Sequence, residues 1–414
     1  MLQSIQIQNF KSFREATLPL APLTVLIGAN ASGKSNAIEA MQLLSWLASG
    51  RRLEDLLLSI REQELSVRGT LGDFLYTGDR FTLGCTFGPS RDFYRLSFGL
   101  MLGLNGDGFK IVDEALETPD SEPRSSLFRY QDRGLISLQQ AAFTQLATQT
   151  PFETDSQNAQ IQKAAVQLQQ VLSNILFLDP IPSRMRGYSF VQEKSIQGDG
   201  AALSAVLYRL MEEGQKERIL DFIRSLPEQD IRNIDFISTP RDEVMVQLEE
   251  TFGKKTHKRD AAVLSDGTLR VLAVAAALLS VPEGSTVVIE EIDNGVHPSR
   301  AALLLDNIKR AATERSLKVL LTTHNPALLD ALPVECIPDV VACYRDPEEG
   351  DSRLIRLEDL GNYPELVAQG PLGRLVTQGI LDRMLKDPNR DNPQERVEQN
   401  LRWLQEFERS AHES

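Results

Sequence analysis

Apolar and polar positions alternate at the start of the chain, where Ser4-Ile-Gln-Ile-Gln8 reads as a strand with one buried face. The next run, Leu23-Thr-Val-Leu-Ile27, is apolar almost throughout, as in a strand covered on both sides. The first 27 residues therefore read as two strands joined by a turn. Helical spacing predicts a helix from about Asn36 to Leu47. Short β-like runs then recur between about 65 and 115, including Phe81–Phe87, Tyr94–Phe98 and Phe109–Val112. They predict an antiparallel sheet beside the core. Thr118–Ser126 is polar and Pro-containing and reads as a loop.

Near residue 135 the pattern changes. A Gln- and Ala-rich, helix-favouring stretch runs to about 176, broken at Thr150–Ser156. Ala201–Phe222 is an amphipathic helix candidate in which Leu203, Val206, Leu207 and Leu210 share a face. No heptads are sustained, so no long coiled-coil arm is encoded. These shifts divide the chain into four parts. Residues 1–134 form the first half of a core with the antiparallel β subdomain, and 135–227 a helical insertion. Residues 228–345 form the second half of the core, and 346–414 a mainly helical tail. In that tail the apolar spacing of Leu401–Phe407 reads as ordinary packing.

Composition changes this picture little. A chain of 414 residues suggests about two to three domains, or one core with large insertions. Apolar residues at 42% and charged residues at 25% are those of an ordinary globular protein. Cys85, Cys336 and Cys343 are widely spaced, which fits buried thiols in a reducing compartment better than disulfides or a zinc site. No basic leader opens the chain, and the longest apolar run, Val271–Leu279, is too short to span a bilayer. A cytoplasmic location without membrane contact is expected. The net charge of −14 argues against a general nucleic-acid coat. The basic run Lys254–Arg259 reads first as a solvated turn after a strand at Glu243–Glu250, with a phosphate-backbone contact as the alternative.

The candidate chemistry begins at Gly28-Ala29-Asn30-Ala31-Ser32-Gly33-Lys34-Ser35, followed by Asn36. It fits G-x-x-x-x-G-K-[ST] and lies between a predicted strand and a predicted helix, the context a phosphate-binding loop requires. Its backbone N–H groups and the helix N-terminus suit a polyphosphate. Lys34 would reach the β- and γ-phosphates of ATP, and the Ser35 hydroxyl would meet Mg²⁺. Farther on, Thr286-Val-Val-Ile-Glu290-Glu291 is an apolar β-run ending in two carboxylates. Glu290 would hold Mg²⁺ and Glu291 would act as general base on the attacking water. Val319-Leu-Leu-Thr-Thr-His324 is a second such run, ending where a γ-phosphate-sensing histidine would sit. Ser265-Asp266-Gly267-Thr268 precedes the apolar helix and forms another anion cradle. It cannot readily serve the phosphate held by Gly28–Ser35, so its natural partner is ATP on a second subunit.

In this order the motifs resemble an ABC-type ATPase head, and within that group the RecF, SMC and OLD-like ATPases rather than transporters. The resemblance covers about 1–115 and 228–345. It implies an α/β fold: a P-loop NTPase head of ABC type with an antiparallel β subdomain and a helical insertion. Ile7-Gln-Asn-Phe10-Lys11-Ser-Phe13 resembles the group's first strand, where a basic residue such as Lys11 or Arg14 lies close to nucleotide. Glu290–Ser299 resembles OLD-like ATPases, and His297 falls in the part that faces the opposing subunit. The chain departs from the pattern in two respects. Gln42 comes too early to be the Q-loop glutamine, and no Toprim-like acid cluster is read after Cys343, so nuclease chemistry is not expected here.

The resemblance implies a homodimer or higher homo-oligomer closed by ATP. The role expected first is control of a separate, nuclease-like effector in bacterial antiviral defence. Two alternatives are RecF-like DNA repair with direct duplex binding, and a scaffold that uses ATP as a structural ligand.

Overall fold

The computed structural model describes residues 1–88, 94–103, 106, 108–117, 126–131, 139–148, 156–224, 230–252, 255–293, 298–361 and 363–387. Its strands are β1 (Leu2–Phe10), β2 (Phe13–Pro19), β3 (Leu23–Ile27), β4 (Arg80–Phe87), β5 (Tyr94–Leu102), β6 (Phe109–Glu117), β7 (Ser126–Gln131) and β8 (Leu176–Leu178). They continue with β9 (Ser189–Phe190), β10 (Asp230–Ser238), β11 (Glu243–Phe252), β12 (Lys255–Asp260), β13 (Thr286–Ile289), β14 (Lys318–Thr322), β15 (Val341–Arg345) and β16 (Ser352–Arg356).

Three sheets result. The central one has the order β16-β15-β3-β14-β13-β8 and is parallel except where β16 turns back along β15. Every residue of β3, β13 and β14 is buried, as a parallel sheet covered on both faces requires. Because side chains alternate along a strand, this sheet divides two apolar cores. Leu26, Val288, Leu320, Val341 and Cys343 join the core shared with the Lys34–Ala48 helix and the antiparallel sheet β2-β1-β4-β5-β6-β7. Val25, Ile27, Val287, Ile289, Val319 and Leu321 join the opposite core, with the Asp266–Ser280 and Ala301–Glu314 helices. A third sheet, β10-β11-β12 with β9 on β11, packs on that second side.

The expected antiparallel sheet beside the core is present, and three details differ from the sequence reading. The first 27 residues hold three strands, since Phe13–Pro19 pairs with β1 across the Lys11–Ser12 turn. Within 135–227, the apolar triplet Leu176–Leu178 leaves the helical pattern and becomes the edge strand β8 beside β13. A three-residue apolar run is too short for its period to separate strand from helix. Lys255–Asp260, read as a turn, is the exposed edge strand β12. Lys254 and the Leu401–Phe407 run lie outside the described residues. All three cysteines are buried free thiols. Among the described residues no helix is long and apolar enough to cross a membrane.

One buried charge ties the antiparallel sheet to the segment after it. Glu114 on β6 is fully buried and accepts from the backbone N–H groups of Ala142 and Phe143, both at 2.7 Å. It thereby satisfies two free N–H groups at the start of the Ala142–Thr148 helix. Burial raises its pKa from 4.5 to about 7 despite those bonds. The native state therefore holds this proton more tightly than the unfolded chain. Its stabilising contribution is complete below about pH 4.5 and is lost as the pH rises through about 7. Between those limits wild type should lose about 3 kcal/mol relative to Glu114→Gln. Urea melts of both proteins from pH 4.5 to 8 measure this, and parallel pH profiles would exclude Glu114 as the cause.

Candidate functional site

β3 delivers Gly28 to the carboxyl edge of the central sheet, where open α/β folds place ligands. The backbone there turns in a way that excludes side chains. Gly28 has φ 150°, and a Cβ on it would stand 2.2 Å from the Cys343 carbonyl oxygen. Gly33 has φ 121°, and a Cβ there would stand 2.5 Å from Ser352 Oγ. Both glycines are thus required by φ and by close approach. Ala31 takes the left-handed conformation at φ 63°.

β15 and β16 support this loop from behind. The Ser32 carbonyl accepts from Cys343 Sγ (3.3 Å) and from Ser352 Oγ (2.5 Å). Burial pushes the Cys343 thiol up to about 11, so it remains a protonated donor. Arg345 Nε donates to the Ala31 carbonyl at 3.2 Å. From the β1–β2 turn, Ser12 Oγ accepts from Asn36 Nδ2 at 2.7 Å and lies 2.8 Å from Ser352 Oγ. The Lys34–Ala48 helix starts without a side-chain cap or an acidic residue in its first turn. Its N–H groups are therefore suited to an anion. Lys34 Nζ donates to the carbonyls of Gly28 (2.6 Å) and Ala29 (3.1 Å), so its ammonium lies over its own loop.

β13 ends beside β14 and β8, and its neighbours orient the two carboxylates. Glu290 N donates to the Leu178 carbonyl (3.1 Å), while Glu291 N donates to Thr322 Oγ1 (2.9 Å). Glu291 adopts φ 48°, an uncommon conformation for a residue with a side chain, and one that clusters at functional sites. Burial raises the Glu290 pKa first; Asp179, Glu291 and Glu39 add like charge, and Arg68 opposes them. Burial also lowers the Lys34 pKa, with Cys343 and Glu291 acting against the shift. Lys34 and Glu291 thus feel one another across the site.

A cleft of about 1070 Å³ has Ser35, Glu39, Arg68, Asp179 and Glu290 among its lining residues. Among the described residues no three His, Cys, Asp or Glu side chains form a ready metal cage. Crowded carboxylates around Glu290 would welcome a divalent charge. His324 is exposed directly after β14, the strand between β3 and β13. It therefore lies at the sheet edge that also carries Gly28 and Glu290. The next residue, Asn325, caps a short helix by accepting from Ala327 N at 3.0 Å.

Ser265–Thr268 belong elsewhere. They open the Asp266–Ser280 helix, which packs on the opposite face of the sheet from the Lys34–Ala48 helix. Ser265 Oγ accepts from Thr268 N at 3.1 Å and lies 2.7 Å from Thr268 Oγ1. Ser265 and Asp266 are exposed, Gly267 is half-buried and Thr268 is buried. Lys11 pairs with the buried Glu39 and donates to the Arg68 carbonyl at 2.6 Å. Arg14 pairs at the surface with Glu349. Gln42 is buried on the Lys34–Ala48 helix. His297 lies outside the described residues.

Sequence reasoning missed several contributors. Ser12, Cys343 and Ser352 carry no local sign of their contact with the loop. Asp179 did carry one, since Leu176-Phe-Leu-Asp179 is an apolar run ending in a carboxylate, the pattern that singled out Glu290. Arg186, which binds the Ser265 turn, stands in no recognisable motif.

Comparison with known proteins bears on the family and the fold. A family described as "AAA domain, putative AbiEii toxin, Type IV TA system" matches residues 23–330. DNA replication and repair protein RecF of Gloeobacter violaceus is 47% identical over 69 residues, 16% of either chain. The chain thus spans about one sixth of the RecF relatives it matches, with 17% of the RecF of Cyanothece covered. An ATP/GTP phosphatase of Helicobacter pylori is 22% identical over 360 residues, 80% of this chain and 87% of that one. In fold, the chain is similar to the SMC head solved with the C-winged helix domain of ScpA. The TM-score is 0.52 at 13% identity, covering 86% of this chain and 97% of that one. The chain belongs to this AAA-domain family, and its fold is similar to that of the SMC head.

Proposed function

We propose that the protein binds and hydrolyses ATP, and that two copies close around two ATP molecules. The observation that carries this reading is the separation of two anion cradles. Gly28–Ser35, Glu290, Glu291 and His324 follow strands that end at one sheet edge, whereas Ser265–Thr268 open a helix packed on the other face from the Lys34–Ala48 helix. A second copy could supply its own Ser265 turn to the first copy's γ-phosphate.

In this reading the backbone of residues 29–35 and the helix behind it hold the phosphates. Lys34 exchanges the Gly28 and Ala29 carbonyls for phosphate oxygens, and burial makes that exchange favourable for its charge. Ser35 and Glu290 would hold Mg²⁺, which would neutralise charge on the phosphates. Glu291 takes the proton as the water oxygen bonds to the γ-phosphorus and the bond to the ADP oxygen breaks. His324 donates to the γ-phosphate and registers its loss. Closure is then a population shift, because ATP binds the paired form through both surfaces and the open form through one.

The family's description as a putative toxin of a Type IV TA system supports a role in bacterial defence; control of a separate, nuclease-like effector rests on the resemblance of the motifs alone. The local RecF matches favour a second reading, in which the closed pair holds duplex DNA during repair. DNA binding that strengthens with ATP and weakens steeply with salt would select the repair role.

Glu291→Gln should retain ATP binding, lose about 10²–10⁴-fold in turnover, and elute as a dimer in ATP. Steady-state phosphate release and light scattering test this, and unaltered turnover would remove Glu291 from the base role. Lys34→Ala should weaken ATP binding by about tenfold to a hundredfold through loss of charge-assisted hydrogen bonds. Calorimetry giving wild-type affinity would contradict the phosphate-loop assignment.

A further inference from the structure

The loop entering the Ser265 turn is gripped by one side chain from a distant part of the sequence. Arg186 Nη1 donates to the carbonyls of Ala262 (3.0 Å) and Leu264 (2.7 Å), with the Ala261 carbonyl at 3.5 Å. Its Nη2 donates to Asp266 Oδ1 at 2.6 Å. A guanidinium presents a rigid fork of donors and can satisfy carbonyls and a carboxylate together, which an ammonium does poorly.

Arg186 itself stands at the end of a short, braced segment that starts at the nucleotide site. Asp179 follows β8, and Asp179 N donates to the Gly198 carbonyl at 2.9 Å. Gly198 permits this approach, because a Cβ there would stand 2.5 Å from the Phe177 carbonyl oxygen. Pro180 borders a small cavity with Arg270, Glu290 and Glu291. Arg184 Nε pairs with Asp199 at 2.9 Å. One end of the 179–186 segment therefore adjoins the acidic end of β13, and the other grips the loop before Ser265.

We propose that Arg186 is a positioning residue: it holds the 261–266 loop so that Ser265 is presented to a second copy's nucleotide, and ties that loop to the Asp179 end of its own nucleotide site. The inference rests on the two-copy reading above. It adds the element that sets the Ser265 turn and joins it mechanically to the acidic end of β13. A mere staple for a surface loop would share the hydrogen bonds, but its loss would leave pairing between copies unaffected.

The experiment uses the full chain carrying Glu291→Gln, with ATP binding read by calorimetry and dimerisation by light scattering. Adding Arg186→Ala should leave ATP affinity within about twofold, since the bonds of Arg186 all lie away from Gly28–Ser35. The dimer dissociation constant should rise by about tenfold to a hundredfold. Arg186→Lys should fall between, because one ammonium replaces only part of the fork. In the otherwise wild-type chain, Arg186→Ala should lower kcat while KM for ATP changes little.

Dimerisation of the Arg186→Ala chain as tight as that of Glu291→Gln alone would overturn the inference and leave the two-copy reading standing. Failure of Glu291→Gln itself to dimerise would overturn that reading, and the inference with it. If Arg186→Ala abolishes ATP binding, Arg186→Lys decides. Retained binding with weakened pairing supports the positioning role, and joint loss of both reduces Arg186 to a general fold contact and overturns the proposal.

Discussion

Two stretches of backbone meet at Gly28 with no side chain between them, and the nucleotide site depends on that contact. The Cys343 carbonyl lies where a Cβ of residue 28 would be, and Ser352 occupies the corresponding place at Gly33. With β15 and β16 pressed this close, the Ser32 carbonyl finds its donors in Cys343 and Ser352, and Arg345 reaches Ala31. The loop's curvature is thus set from outside as well as by its own glycines. A flexible Gly-rich turn becomes a preorganised loop, and in the proposed reading little ordering remains to be done when a phosphate arrives.

The charges around the cradle are arranged against one another at close quarters. Burial disfavours ionised Glu290, and Asp179, Glu291 and Glu39 add to that, while Arg68 opposes them; Lys11 and Arg68 both pair with Glu39. Lys34 is likewise disfavoured as a cation by burial and supported by Glu291. A site with this balance gains from a ligand that carries phosphate to Lys34 and a divalent ion to Glu290. The same electrostatics that make the cleft uncomfortable for its own side chains would, in the proposed function, favour a metal–nucleotide pair.

The central sheet keeps the two cradles apart while joining them through its edge. Side chains of β3, β13 and β14 alternate into two cores, so the Lys34–Ala48 helix and the Asp266–Ser280 helix cannot share a face. β8 adds the link: it lies beside β13 and runs directly into Asp179 and the turn that ends at Arg186. Any shift of the acidic strand end borders on the segment that grips the Ser265 loop. The geometry gives the proposed exchange between binding at one surface and pairing at the other a continuous physical route.

Local physics in the chain already determined much of this. Gly28–Ser35 between an apolar run and a helical one could form only a few structures, and the acids after Val287-Val-Ile mark a buried strand's end whatever the surroundings. Ser265 reads from the sequence as part of an anion cradle; in the structure its side chain also caps its own helix by accepting from Thr268 N. The antiparallel sheet was visible in its alternation. What the sequence left open is whatever depends on residues far apart along the chain. That Phe13–Pro19 is a strand, that Leu176–Leu178 borders the core sheet, and that Lys255–Asp260 is a sheet edge are decided by pairing partners, not by period. Ser352 and Arg186 acquire their roles only when folding brings them to carbonyls that local structure leaves without a donor, and Ser12 only when it meets Asn36 and Ser352. A motif encodes groups that bond to near neighbours or to ligand; the contacts that hold it in shape satisfy backbone groups across hundreds of residues, and only the folded chain assigns them.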